Sequence, residues 1–333
     1  MRIAHVAVVT PHRAGLYETT RDLVAAERRI GLDARIVDPV NDVEMAEDRG
    51  VPIAERAFAG ECDVIVNHSG LGDDLNRTQL PIIHVLHGRP CSSFLLEQAG
   101  KIPVYTYLRK VSKDDRFKAF VTFWPEFMAY WSAILPEAKL RCVTAPVDLD
   151  LWTPHGPTGY QFHGRGGLIN VVCASMWRED RTPYHIINAF YLFAQGVRGA
   201  KLHVYAQPQG SAWDVLKGQL REAGVLGEVA GFVNGLENVY RAADVAITPH
   251  RIATRSVREP LACGCNVVMA PGNRYRLHPT PFQADPEDLP AYAMQIARAV
   301  EGKTHNRRAA EAFFNPEDTA REMLAVIESI PGI

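Results

Sequence analysis

A chain of 333 residues with 47% hydrophobic and 22% charged residues is long enough to bury two cores, which excludes a disulfide-stapled miniprotein and a disordered chain. Its 36 Lys and Arg against 38 Asp and Glu leave a net charge of −2, which excludes a whole-surface electrostatic grip on nucleic acid while leaving room for a local basic groove. The six cysteines show no C-x-x-C pairing and the twelve histidines no H-E-x-x-H array, so reduced, buried thiols and no metal site are expected.

Apolar runs of strand length alternate with amphipathic stretches, the pattern of a parallel α/β protein. In chain order, strands are expected at Ile3–Val9, Ala34–Val37, Val64–Asn67, Ile82–Leu86, Ala119–Thr122 and Arg141–Val143. A second series follows at Leu168–Ala174, Lys201–Tyr205, Glu228–Phe232, Val245–Ile247 and Asn266–Met269. Amphipathic helices are expected at Tyr17–Arg29, Pro183–Ala194 and Leu236–Ala242, and a further helix opened by Glu259 and closed by Gly264. Between the two series lies TPHGPTGYQFHGRGG, Thr153–Gly167, rich in Gly and Pro and read as a linker. No apolar run reaches the ~18 residues of a membrane span, and MRIAHVAVVTPHR leads straight into a strand pattern, so a cytoplasmic location is expected.

The segment Gly231–Met269 carries the most chemistry. A loop with Thr254, Arg255 and Ser256 at a helix N-terminus offers N–H groups, hydroxyls and positive charge to an anion such as a diphosphate. Glu259 nearby could accept both hydroxyl donors of a sugar cis diol, although a carboxylate at a helix start also suits the macrodipole. Neither G-x-G-x-x-G after a strand nor G-x-x-x-x-G-K-[ST] is present, so dinucleotide and P-loop chemistry lack their phosphate loops.

The string NVYRAADVAITP followed by REPLACGCNVV resembles the C-terminal signature of GT-B glycosyltransferases of the family 4 type. VTAPVDLDLWTP (Val143–Pro154), PEDL (Pro286–Leu289), DVIVNHSG (Asp63–Gly70) and IIHVLHG (Ile82–Gly88) resemble further motifs of that family in the expected order. The resemblance implies a GT-B fold: two Rossmann-like α/β domains facing each other across a central cleft. The expected divisions are an acceptor-side domain at 1–152, the linker at 153–167, a nucleotide-sugar domain at 168–313, and a C-terminal helix at 314–333 that packs back on the first domain.

It also implies transfer of a hexosyl or pentosyl group from a nucleoside-diphosphate sugar, as co-substrate and without a cofactor, with retention and without metal. On the matching positions, Glu259 is the second glutamate of the family's E-x7-E motif, which holds ribose, and His87 lies beside the donor sugar and diphosphate. Gly15 matches a small-residue turn against the donor or acceptor, or is a plain turn. Arg181 stands where the family's diphosphate-clamping lysine belongs, with Arg178 as the substitute for its arginine. These residues define an expected catalytic set of His87, Arg181 and Glu259. The donor-binding set is Gly15, Arg178, Val233, Arg251, Thr254, Arg255 and Ser256, with His12, Arg13 and Arg89 on the acceptor side. Arg251 departs from the family, which usually has a glutamate eight positions before Glu259. Asp148 and Asp150 form a D-x-D but match the domain junction, and are read as structural. The acceptor stays open among small molecules, glycans and DNA with a hydroxymethylated base, as does the oligomeric state. A nucleotide-sugar epimerase on the same fold and a non-catalytic nucleotide-sugar-binding protein are the alternatives.

Overall fold

Runs such as Val64–Val66, Ile82–Ile83 and Val171–Cys173 are apolar at consecutive positions, the mark of strands covered on both faces. In the computed structural model they form two parallel sheets. All residues are described except 11–14, 41–45, 70–76, 89, 99, 101–102, 158, 163–165, 176–182, 206–210, 232, 273–278 and 303–305. The chain divides into one unit of Met1–Pro146 with Phe314–Ile333, and a second of Val147–Phe313.

The first unit contains β1 (Arg2–Val6), β2 (Asp33–Val37), β3 (Glu47–Asp48), β4 (Val51–Ala54), β5 (Val64–Asn67), β6 (Ile82–Leu86), β7 (Phe117–Thr122) and β8 (Leu140–Cys142). They lie in the order β3-β4-β2-β1-β5-β6-β7-β8, parallel throughout except that β3 runs antiparallel to β4. The alternation pattern misses β3 and β4, because ED and VPIA are short, and Pro52 is a residue sheets tolerate only near an edge. Helices α1 (Gly15–Arg29), α2 (Pro90–Gln98), α3 (Val104–Val111) and α4 (Met128–Trp131) connect them. The chain's last helix, Pro316–Glu328, packs against α1 and so lies in this unit. Fully buried Leu108, Phe117, Phe120 and Trp131 fill one side of the sheet, each such side chain contributing about 1.5–3 kcal/mol by leaving water.

The second unit holds β9 (Ile169–Cys173), β10 (Ala200–Tyr205), β11 (Leu226–Ala230), β12 (Val245–Ile247) and β13 (Asn266–Val268), in the all-parallel order β11-β10-β9-β12-β13. Its helices are α5 (Tyr184–Gly196), α6 (Ser211–Glu222), α7 (Leu236–Ala242), α8 (Arg255–Ala262), α9 (Leu289–Glu301) and α10 (Asn306–Phe313), and the Pro316–Glu328 helix of the first unit is α11.

The stretch expected as a linker, 153–167, falls within the second unit, where specific contacts tie it down. Arg241 of α7 donates to the carbonyls of Thr153 (3.0 Å) and Pro157 (3.2 Å). Gly156 is required here: its φ is +143°, and a Cβ would sit 3.0 Å from the Arg241 guanidinium carbon. Farther on, Tyr160 donates to Glu228 of β11, and the Phe162 ring stacks 3.9 Å from that of His203 on β10.

Candidate functional site

In an open parallel sheet, ligands meet the carboxyl ends of the strands where the strand order reverses. That reversal falls between β9 and β12 in the second unit, and between β1 and β5 in the first. Each unit carries an unusual line of polar side chains there.

In the second unit, Ser175 follows β9 and Thr248 follows β12, and their buried hydroxyls lie 3.0 Å apart. Thr248 Oγ1 is 3.1 Å from Ser256 Oγ, which is 3.0 Å from Thr254 Oγ1, so four hydroxyls run from the sheet to the N-terminus of α8. The fully buried Tyr292 of α9 fixes the end of β12, its hydroxyl lying 2.9 Å from the Thr248 carbonyl and 2.8 Å from that of Val268. At the other end of α8, Arg307 donates to the Ala262 carbonyl, a cation on the negative pole of the helix.

The helix expected to open at Glu259 opens at Arg255 instead, with Thr254 as its N-cap. The Glu-Pro pair looks like a helix start, yet Pro260 sits inside the helix. Glu259 therefore stands one turn in and buried, ion-paired with Arg255 at i,i+4 rather than sitting on the helix pole. The Arg255 guanidinium also lies 6.0 Å over the Trp152 ring. Thr254, Arg255, Ser256 and Glu259 are thus gathered on one short element. Val233 is half-buried in the loop after β11. Arg251, after β12, pairs with Asp285 at 2.9 Å. The backbone N–H of Glu287, with Arg251, holds the Asp285 carboxyl below the usual carboxylate range. Arg178 and Arg181 lie outside the described residues, between Ser175 and Pro183. Asp148 Oδ1 accepts the backbone N–H groups of Asp150 (3.1 Å) and Leu151 (3.2 Å), closing a turn. Among the described residues no three His, Cys, Asp or Glu side chains are grouped as metal ligands.

In the first unit, Gly15 is exposed at the start of α1, and its carbonyl accepts the Thr19 hydroxyl at 2.7 Å. His12, Arg13 and Arg89 lie outside the described residues. His87 directly follows β6, half-buried, with its ring 5.4 Å from that of Phe123. Its Nε2 lies 2.7 Å from Nδ1 of buried His68, whose Nε2 lies 3.0 Å from Nδ1 of His5. His5 Nε2 in turn meets Oε2 of Glu27 at 2.6 Å, and both of these side chains are fully buried. Burial, then the neighbouring His87, His5 and His84, hold the His68 imidazole well below the usual histidine range. Past β7, burial pushes the Glu126 carboxyl up to about 7.

Sequence reasoning named His87 and the loop ahead of α8, and did not name Ser175, Thr248, His5, His68 or Glu27, which the structure places beside them. The available signal was a polar residue inside an apolar strand run, His5 within IAHVAV and His68 closing VIVNH; pairing between distant strands is invisible in sequence.

The sequence matches no protein-family model and no curated protein. Solved structures align with it over nearly its whole length. Sucrose-phosphate synthase from Thermosynechococcus elongatus covers 98% of both chains at 16% identity and a TM-score of 0.71. Anabaena HepE in complex with UDP-glucose covers 99% of this chain and 100% of its own at 15% identity and a TM-score of 0.73. An α-glucosyltransferase in complex with UDP and a 13-mer DNA containing a HMU base covers 99% and 100% at 9% identity and a TM-score of 0.68. At such identities the likeness lies in the fold, and the two parallel sheets identify it: the chain has the GT-B glycosyltransferase fold.

Proposed function

We propose that the protein transfers a sugar from a nucleoside-diphosphate sugar, a UDP-sugar first among candidates, to an acceptor hydroxyl. The observation that carries this reading is the gathering of Thr254, Arg255, Ser256 and Glu259 at one helix N-terminus beside a strand-order reversal, on a fold whose solved examples include complexes with UDP and UDP-glucose. In this reading the amides and Arg255 at the start of α8, with Arg178 and Arg181, stabilise negative charge building on the leaving diphosphate. Glu259 accepts the ribose hydroxyls, and His87 contacts the donor sugar and diphosphate. In this reading transfer is metal-independent, Asp148 Oδ1 of the D-x-D closing a turn by accepting backbone amides, and it is retaining, as the resemblance of the sequence motifs implies.

The decisive experiment incubates the protein with a panel of UDP-sugars and acceptors, including small alcohols, glycans and DNA with hydroxymethylated bases, and measures UDP release in EDTA. Release that depends on acceptor supports transfer. Release without acceptor, or binding without release, refutes it in favour of hydrolysis, epimerisation or simple binding. A strict requirement for Mg²⁺ or Mn²⁺ refutes metal independence.

A further inference from the structure

The Arg255 guanidinium that pairs with Glu259 lies 6.0 Å over the ring of Trp152, and that ring packs 6.0 Å from the ring of buried Tyr240 on α7. Trp152 is itself buried, yet its indole Nε1–H has no hydrogen-bond partner among the described residues. A buried tryptophan ordinarily gives its N–H a partner, and an orphaned one costs stability that a phenylalanine in the same place does not. What tryptophan offers over phenylalanine here is a stronger negative face for a cation.

The Trp152 backbone is fixed from two sides. Its N–H donates to the Asp148 carbonyl at 2.9 Å, inside the turn that the Asp148 carboxylate closes on Asp150 and Leu151. Its carbonyl accepts Nη1 of Arg307 at 2.7 Å, and the same nitrogen reaches the carbonyls of Leu149 (2.9 Å) and of Ala262, the last residue of α8 (3.3 Å). Arg307 therefore ties the segment that bears Trp152 to the helix that bears Arg255.

We propose that Trp152 is a positioning residue of the nucleotide site. Its ring face holds the Arg255 guanidinium, and with it the Glu259 carboxylate, in the geometry that receives a nucleoside diphosphate, while the D-x-D turn and Arg307 place the ring. This rests on the reading that Arg255 and Glu259 bind the nucleotide. A long side chain on a helix samples several rotamers, and freezing them on binding weakens affinity. The ion pair alone does not remove that freedom, because guanidinium and carboxylate can swing together. A ring anchored in the backbone of another segment does remove it. The D-x-D thereby has a use that involves no metal: Asp148 acts as an acceptor that shapes the turn, and the turn sets Trp152. Neither Asp148 nor Trp152 is assigned a contact with the nucleotide, and Arg255 is the residue through which both act.

The test weakens the ring face while keeping its shape. Mono-, di- and trifluorotryptophan placed at position 152 should raise the UDP Kd stepwise, to about 5- to 30-fold, with the melting temperature unchanged. A Kd that stays flat across the series overturns the proposal, because a ring that only fills space is indifferent to the charge on its face. Trp152→Leu should lose the affinity at once and Trp152→Phe part of it; wild-type affinity in Trp152→Leu overturns the proposal as well. Asp148→Asn keeps the acceptor oxygen and should bind UDP in EDTA as the wild type does. Asp148→Ala should weaken binding in the wild-type background and no further in Trp152→Leu, and an equal loss in both overturns the part given to the turn. Where Trp152→Leu fails to fold, the fluorinated series decides. A wild-type protein that binds no UDP fails the nucleotide reading instead. The Arg255 Nε–H proton resonance, assigned with Arg255→Lys, then decides whether Trp152 holds the guanidinium: an upfield ring shift supports the contact, and its absence overturns it.

Discussion

Arg255 and Glu259 are ion-paired one turn apart on α8, so the carboxylate assigned to ribose is oriented by the guanidinium assigned to diphosphate. A held carboxylate loses less entropy on binding two hydroxyl donors than a mobile one. Glu259→Ala is expected to weaken UDP binding by roughly 10²- to 10⁴-fold, two hydrogen bonds to a charged acceptor at about 1.5–3 kcal/mol each. Arg255→Ala should also weaken it, and the double variant should lose less than the sum of the two, because each single change also leaves a buried charge without its partner. Calorimetric titration of the four proteins checks this; a change below threefold in Glu259→Ala would remove the ribose assignment.

Thr248→Val deletes the central hydroxyl of the line from Ser175 to Ser256 while keeping the side-chain shape. Leaving buried hydroxyls with fewer partners costs about 1–3 kcal/mol. Urea unfolding should show the loss as a lower midpoint at unchanged m-value, and UDP affinity should fall with it because the start of α8 loses its tie to β12.

His203 accepts the Glu228 N–H at Nδ1 (3.0 Å) and contacts Asn170 Oδ1 through Nε2 (3.1 Å), so the neutral ring uses both nitrogens. Burial, with Lys201 nearby, pushes its pKa down to about 4, below the unfolded value near 6.5. The unfolded chain therefore binds more protons in this window, and stability falls as pH drops from about 6.5 toward 4, by roughly 3 kcal/mol for this one group. His203→Gln should flatten that part of a melting-temperature profile; an unchanged slope would show that another group carries it.

Glu126 has the opposite sign. Its carboxyl is pushed up to about 7 from 4.5 by burial, and Oε2 is buried without a hydrogen-bond partner among the described residues. The folded state holds the extra proton, so this residue lowers stability as pH rises from about 4.5 to 7. Glu126→Gln should raise the melting temperature relative to wild type more at pH 8 than at pH 5, and an equal gain at both would contradict the raised pKa.

Periodicity and composition alone determined the parallel α/β class, the positions of every strand but β3 and β4, and the loop of Thr254, Arg255 and Ser256, because burial on both faces and helix-start chemistry are written in consecutive residues. His87 was named through the resemblance of IIHVLHG to a family motif, not by periodicity. What periodicity and composition misplaced depends on contacts between distant residues. Gly and Pro between 153 and 167 read as a linker until Arg241, Glu228 and His203 are seen to hold that stretch in the second unit. Glu259 read as a helix start until Arg255 was found one turn ahead of it. Most of all, His5 and His68 stand 63 positions apart and meet only because β1 and β5 are neighbours in the sheet. A sequence window sees each as a lone polar residue in an apolar run, and only strand order joins them to Glu27 and His87.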